Sequence, residues 1–315
     1  MMGKVCVCAI GGNSLIKGPN NLSFYDQYET VKETCRHLIP IIEAGYELAL
    51  THGNGPQVGF LLLRSHFSRN ILPEIPLEGG NAMTQGEIGY MITSAFTNIL
   101  REEKIEKEVV AIITRVLVNQ KGLAFRRPSK PIGPFYSRSE AVELEKKYHW
   151  VLKEDAGRGF RRLVPSPEPI DILEKEAIRN LIADGKIVIA VGGGGIPVVK
   201  ENGFYKGIAA VIDKDLATSL LATLIGAELF IISTAVDAVY LNYGKPNRKR
   251  LRVLTVEDCK RYLKEGHFPE GSMGPKIRSA IRFLERGGKE VIITSPEKIS
   301  QALRGKAGTR IVPED

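Results

Sequence analysis

The stretch Lys4-Val5-Cys6-Val7-Cys8-Ala9-Ile10-Gly11-Gly12-Asn13 decides the fold. Its apolar run, Val5 to Ile10, suits a short strand buried on both faces, and the two glycines break it at its carboxyl end. The run is too short for a signal-peptide core, and nowhere does a charge-free apolar stretch approach the length of a membrane span. Cys6 and Cys8 fall on one face of this strand.

Working outward, the same unit recurs. Residues 22 to 44 carry Val31, Cys35, Leu38, Ile39 and Ile42 at helical spacing, Gly45 closes that helix, and a strand follows at Tyr46 to Thr51. The pattern then predicts a helix near 84 to 101, a strand at Val109 to Thr114, a helix near 171 to 184 and a strand at Lys186 to Val191. Beyond Gly207 come a helix at 214 to 225, a strand at Leu229 to Ser233, a helix at 274 to 286 and a strand at Glu290 to Thr294. Helices alternating with short β-branched strands define an α/β protein with a mostly parallel sheet covered on both faces. The stretch from about 115 to 165 breaks the rhythm with Pro128, Pro131, Pro134 and Pro165 and many arginines. It reads as an insertion projecting from the sheet, with a lid as one use for it, and Phe125, Phe135, Tyr136, Trp150 and Phe160 within it argue against simple disorder.

Glycines recur at the carboxyl ends of successive strands: Gly11-Gly12-Asn13, Gly53-Asn54-Gly55, and Gly192 through Gly195. Each could be a plain strand-to-helix turn. Together, at the edge where parallel sheets bind ligands, they favour a site whose backbone N–H groups face an anion. In Val211-Ile212-Asp213-Lys214-Asp215, Asp213 suits a helix N-cap and Asp215 the first turn, whereas Lys214 opposes the helix dipole. Lys276 repeats this in Gly271-Ser272-Met273-Gly274-Pro275-Lys276. Solvated lysines are the plain explanation; their parallel placement points to phosphate.

The chain of 315 residues carries a net charge of +8, but its Lys and Arg are scattered among 36 acidic residues and show no basic-aromatic motif, so no nucleic-acid partner is expected. Four cysteines without disulfide density or zinc-ligand spacing read as reduced and mostly buried, and the expected location is the cytoplasm. There is no G-x-x-x-x-G-K-[ST] loop, H-R-D or D-F-G, and the glycine spacing at Gly53 to Gly59 misses the dinucleotide fingerprint by one residue.

These segments, with Thr51-His52-Gly53-Asn54-Gly55-Pro56-Gln57-Val58-Gly59, Ser129-Lys130-Pro131-Ile132-Gly133-Pro134-Phe135-Tyr136, Glu154-Asp155-Ala156-Gly157-Arg158-Gly159-Phe160-Arg161-Arg162 and Val164-Pro165-Ser166-Pro167, resemble carbamate kinases of the amino acid kinase superfamily from end to end. The glycine segments occur across the superfamily, whereas the stretches around Lys130 and Arg158 are particular to carbamate kinases. Ser233-Thr234-Ala235-Val236-Asp237 departs from the pattern, lacking the acid that some members carry at Ala235, with Asp237 as the alternative carboxylate.

The resemblance implies a single domain over 1–315: an open, mainly parallel sheet in an αβα sandwich, with a protruding subdomain inserted at about 115–165. The amino half, about 1–190, would bind carbamate and the moving phosphoryl, the carboxyl half, about 191–315, the nucleotide, and the protein would be a homodimer. It also implies reversible phosphoryl transfer between ATP and carbamate, linked to arginine catabolism or carbamoyl phosphate metabolism, with Mg²⁺ accompanying ATP or ADP and no protein residue assigned as its ligand. Lys130, Lys214, Asp215 and Lys276 would be catalytic. Gly11, Gly12, Asn13, Gly53, Asn54 and Gly55 would hold carbamate and phosphoryl, and Lys214, Asp237, Tyr243, Met273 and Lys276 the nucleotide. Tyr243 and Met273 could equally be packing residues. Arg158, Arg161 and Arg162 could grip anions or belong to a surface loop. His52 reads as a structural imidazole bonded to backbone. Another kinase of the superfamily and a non-catalytic nucleotide-binding regulator are the competing readings.

Overall fold

Eight strands build the central sheet, in the order β15 (Val253–Thr255), β17 (Thr309–Val312), β16 (Glu290–Thr294), β12 (Leu229–Ser233), β1 (Lys4–Ile10), β2 (Tyr46–His52), β9 (Ile187–Ile189) and β3 (Val109–Ala111). The computed structural model describes residues 3–18, 20–154, 157, 159–269 and 271–314. The six strands from β16 to β3 are mutually parallel; β17 runs antiparallel to β16 and carries β15 with it. The Val5-to-Ile10 run lies at the centre, paired on both edges, which accounts for its being apolar on both faces.

The two faces of β1 sort its side chains between two cores. Val5, Val7 and Ala9 face the layer made by α6 (Lys175–Ala183), α7 (Lys214–Leu224), α8 (Val256–Lys264) and α9 (Met273–Glu285). Cys6, Cys8 and Ile10 face α1 (Phe24–Glu43), α3 (Leu77–Glu102) and α10 (Ile299–Leu303). The result is the three-layer αβα sandwich with a mainly parallel sheet. All four cysteines are buried free thiols.

A second sheet, β11 (Phe204–Gly207), β10 (Ile196–Glu201), β4 (Arg115–Val118) and β8 (Pro169–Ile172), and a hairpin of β13 (Val239–Leu241) and β14 (Lys249–Leu251) flank the main one. Within the irregular stretch, β5 (Lys130–Tyr136), β7 (Phe160–Val164) and β6 (Val151–Glu154) form an antiparallel sheet, packed by α5 (Arg138–Tyr148) around Ala141, Leu144 and Leu152. A short helix, α4 (Leu123–Arg126), precedes it. Ser137 and Glu140 form a capping box that starts α5.

Three boundaries differ from the periodicity by more than a couple of residues. The helix expected near 84 begins at Leu77, because its first turns are rich in glycine and polar residues; Gly89 is needed where α3 meets β3, as a Cβ there would lie 3.0 Å from that of Ala111. The helix expected from 171 begins at Lys175, since residues 169–172 pair with β4 as β8. The strand expected at Val109 to Thr114 ends at Ala111, and the chain leaves the main sheet there to enter the second.

Candidate active site

The glycine loops after β1 and β2 meet at the carboxyl edge of the sheet. Gly53 N–H donates to Ile10 O at 3.3 Å, which places the two loops side by side. Gly11 abuts β12, where a Cβ would lie 3.2 Å from Ser233 O, and Gly12 opens the 3-10 turn Gly12–Ser14, which contains Asn13, with nothing within 4 Å of where its Cβ would be. Gly53 backs onto Lys214, whose Cδ would lie 3.9 Å from an added Cβ, and Gly55 starts α2 (Gly55–Ser68). The first N–H groups of that helix are donors without intrahelical partners.

The third glycine loop has a different job from the one expected of it. Gly192, Gly193 and Gly194 are buried, and side chains there would strike His52, Asn54 and Ile212 O respectively. They are glycines so that the loop can press against the back of the site. Val191, buried and β-branched, precedes them at φ 54, a left-handed conformation that costs free energy and is held by this packing. Asn54 likewise turns its amide away from solvent, donating to Asn81 Oδ1 at 3.1 Å and to Thr84 Oγ1 at 2.9 Å. Gln85 bridges Thr114 O and Gly192 O from the same helix. Asn81, Thr84 and Gln85 escaped the sequence reading because their spacing on α3 resembles an exposed polar face.

His52 is buried with Nδ1 2.9 Å from Gly53 O. A carbonyl can only accept, so Nδ1 carries the proton. Burial lowers the pKa to about 4, with Lys214 adding to the effect against the backbone hydrogen bond, so the ring is neutral at physiological pH and serves as a structural group.

Two carboxylates at the start of α7 collect three lysines from three elements. Asp213 caps the helix, Oδ1 accepting from Asp215 N at 3.0 Å and Leu216 N at 3.4 Å, while Oδ2 accepts from Lys130 Nζ at 3.0 Å. Asp215 receives Lys276 Nζ at 2.8 Å and lies 2.9 Å from Lys214 Nζ. Burial alone would raise the Asp215 pKa, but the two ammonium groups more than offset it and hold the carboxylate well below its usual range. Lys214 meets Asp215 as a close ion pair, and the one carboxylate oxygen it faces leaves most of the ammonium's three N–H donors for a further acceptor. Such a group calls for an anionic acceptor. Local sequence explains Asp213 by capping alone and carries no signal for its second partner.

A cleft of about 1060 Å³ opens between the body and the inserted sheet, lined among others by Gly55, Lys130, Arg161, Asp213, Gly271 and Pro275. Arg161 donates from Nε to Gly133 O at 3.2 Å and stacks over Phe135; Arg162 stacks over Trp150. Arg158 lies outside the described residues. Of the expected site residues, Lys130 and Gly55 line this cleft; Gly11, Gly12, Gly53, Asn54, Lys214, Asp215, Lys276, Asp237, Tyr243 and Met273 do not. Asp237 accepts from Tyr240 Oη at 2.8 Å beside Arg250, Tyr243 is exposed next to Tyr240, and Met273 packs partly against the core at the start of α9. Among the described residues, no three His, Cys, Asp or Glu side chains gather as a metal cage, and both Asp213 and Asp215 are committed to lysines.

The family description "Amino acid kinase family" matches residues 4–295. The chain is 48% identical over 309 residues to a carbamate kinase of Pyrococcus horikoshii, covering 98% of each chain, and 44% identical over 313 residues to carbamate kinase 2 of Staphylococcus epidermidis, covering 98% and 99%. Among solved structures, carbamate kinase from Giardia lamblia bound to AMP-PNP superposes with a TM-score of 0.93 at 42% identity, over 99% of each chain. The chain belongs to the amino acid kinase family and, within it, to the carbamate kinases.

Proposed function

We propose that the chain catalyses reversible phosphoryl transfer between ATP and carbamate. The observation that carries this reading is the gathering of Lys130, Lys214 and Lys276 by Asp213 and Asp215 beside the glycine loops. In the ATP-forming direction, an oxygen of the ADP β-phosphate attacks the phosphorus of carbamoyl phosphate. The bond from phosphorus to the carbamate oxygen breaks, and carbamate leaves as an oxyanion with the electron pair. No proton needs to be removed, which suits a site whose one buried imidazole is neutral and tied to backbone. Catalysis then rests on placing charge around the transferring group.

In this reading Lys214 faces the transferring phosphoryl, Lys276 offsets charge on the nucleotide phosphates and Lys130 supplies charge from the inserted sheet. Asp215 keeps the two buried lysines from separating. Gly11, Gly12, Asn13, Gly53, Asn54 and Gly55 hold carbamate and phosphoryl through backbone, Gly53 by close approach because its own N–H is bonded to Ile10 O, the amino half serving the small substrate. Asp237, Tyr243 and Met273 belong to the nucleotide side in the carboxyl half. When bound with the nucleotide, Mg²⁺ supplies neutralisation of its phosphates. The proposal extends to a cytoplasmic homodimer acting in arginine or carbamoyl phosphate metabolism; buried free thiols suit a reducing compartment, and exposed Tyr25, Phe67, Ile71 and Tyr90 offer apolar surface for a second copy. Among the described residues, no helix is long and apolar enough to cross a membrane.

The test is ATP formation by purified protein from ADP and carbamoyl phosphate with Mg²⁺. Robust ATP formation from the acyl phosphate of an amino acid, with none from carbamoyl phosphate, would replace this reading with that of another kinase of the family.

A further inference from the structure

We propose that Asp213 is a positioning residue for phosphoryl transfer, docking the Lys130 ammonium of the inserted sheet at the start of α7, next to Lys214. The inference rests on the catalytic reading of Lys130 given above. Helix capping accounts for only half of this carboxylate. Oδ1 satisfies the first N–H groups of α7, a task that serine or asparagine performs as well, whereas Oδ2 is occupied by Lys130. A neutral cap would start the helix and leave the cation unanchored.

The backbone around Asp213 is tied to the base of the inserted sheet. Val211 N donates to Pro165 O at 3.0 Å, and Val211 packs with Ile132 and Val164 of β5 and β7 against Val58 and Leu77. These contacts set where β5 begins, and Asp213 fixes where the long side chain at its first residue ends. The Lys130–Asp213 pair is also the more open of the two clusters: its side chains are 38% and 18% exposed, against 16% and 6% for Lys276 and Asp215. A part-exposed ion pair of this kind is worth little and exchanges readily. Asp213 therefore holds Lys130 within reach of the site and yields it to a phosphoryl group, whose greater charge competes for the same N–H donors. The tighter Asp215 cluster is a permanent fixture; the Asp213 pair is the exchangeable one.

The experiment compares wild-type protein with Asp213→Asn, Lys130→Ala and the double variant in steady-state ATP formation, with ADP affinity measured by calorimetry. Asparagine keeps the cap and removes the charge. Expected for Asp213→Asn are a kcat lower by about tenfold and ADP affinity within about twofold of wild type. Adding Asp213→Asn to Lys130→Ala should cost less than about twofold more, because the two residues act as one unit. An Asp213→Asn kcat near wild type beside a large loss in Lys130→Ala overturns the docking role and leaves the Lys130 reading intact. Losses that multiply in the double variant show Asp213 acting independently of Lys130 and overturn the inference too. A wild-type kcat in Lys130→Ala overturns both. Should Asp213→Asn unfold at lower temperature, Asp213→Ser, an uncharged cap, is held to the same pattern.

Discussion

Gly193 and Asn54 are packed so closely that no β-carbon fits between them: one built on Gly193 would lie 2.2 Å from Asn54 Nδ2. Because that amide already donates to Asn81 and Thr84, a side chain at 193 must either break both bonds or move the loop. The residue also has φ +66, unfavourable for anything but glycine. Gly193→Ala should lose roughly 3–5 kcal/mol of stability, the sum of strain and unsatisfied buried amides, read as a shift in the urea midpoint.

Gly12→Ala is the contrasting case. No atom lies within 4 Å of the added carbon, so the folded protein should keep its unfolding midpoint. If the Gly11-Gly12-Asn13 backbone approaches the substrate, the KM for carbamoyl phosphate should rise by about tenfold or more, as expected for a lost binding contact. An unchanged KM would remove this loop from the substrate site.

Lys130 and Lys276 should fail differently. Lys130→Ala should lower kcat by about 10²-fold, the scale of one lost electrostatic stabiliser, with ADP affinity little changed. Lys276→Ala should weaken ADP binding and turnover together, and by stranding Asp215 with one counter-ion it should also lower stability. Calorimetric ADP titration beside steady-state rates distinguishes the two patterns.

His52 makes stability depend on pH. Its pKa is about 4 in the folded protein against 6.5 as a free side chain, so the unfolded state binds the proton more readily between these values. The contribution is fully present above 6.5 and is lost as pH falls toward 4, reaching on the order of 3 kcal/mol at most. Denaturant unfolding of wild type and His52→Gln at pH 7.5, 6 and 5 should show a shallower decline in the variant. Parallel declines would assign the pH dependence to other groups.

The four thiols give a simple measure of core integrity. Burial raises the pKa of Cys6, Cys8, Cys35 and Cys259, that of Cys8 and Cys259 to about 12, so native protein at pH 8 should not react with a thiol-disulfide reagent within minutes. In denaturant all four should titrate. Fast labelling of any one in the folded state would show local opening around it.

The sheet was legible because burial on both faces writes itself into runs such as Val5 to Ile10 and Leu229 to Ile232, and because Asp213 announces a helix start by local chemistry alone. What periodicity hid is non-local. Leu77 to Gly89 are helical through packing that requires glycine and buried asparagine, against their intrinsic preference. Gly192 to Gly194 look like a phosphate loop because close approach to a ligand and close approach to Asn54 demand the same residue. Lys214 and Lys276 stood out as cations at positive helix ends, whereas the partner of Lys130 lies 83 residues away and leaves no local trace.

The three lysines come from β5, α7 and α9, and the two carboxylates that gather them sit together at one helix start. During synthesis Asp215 leaves the ribosome well before Lys276, so the nascent chain must carry this acid without half of its neutralising charge until α9 has emerged and packed on α7. A chain stopped before residue 276 would keep the glycine loops and most of the sheet, yet its Asp215 would have to stay hydrated or take up a proton. Completion of the chain through α9 is thus what gives the buried acid at the centre of the molecule its second counter-ion.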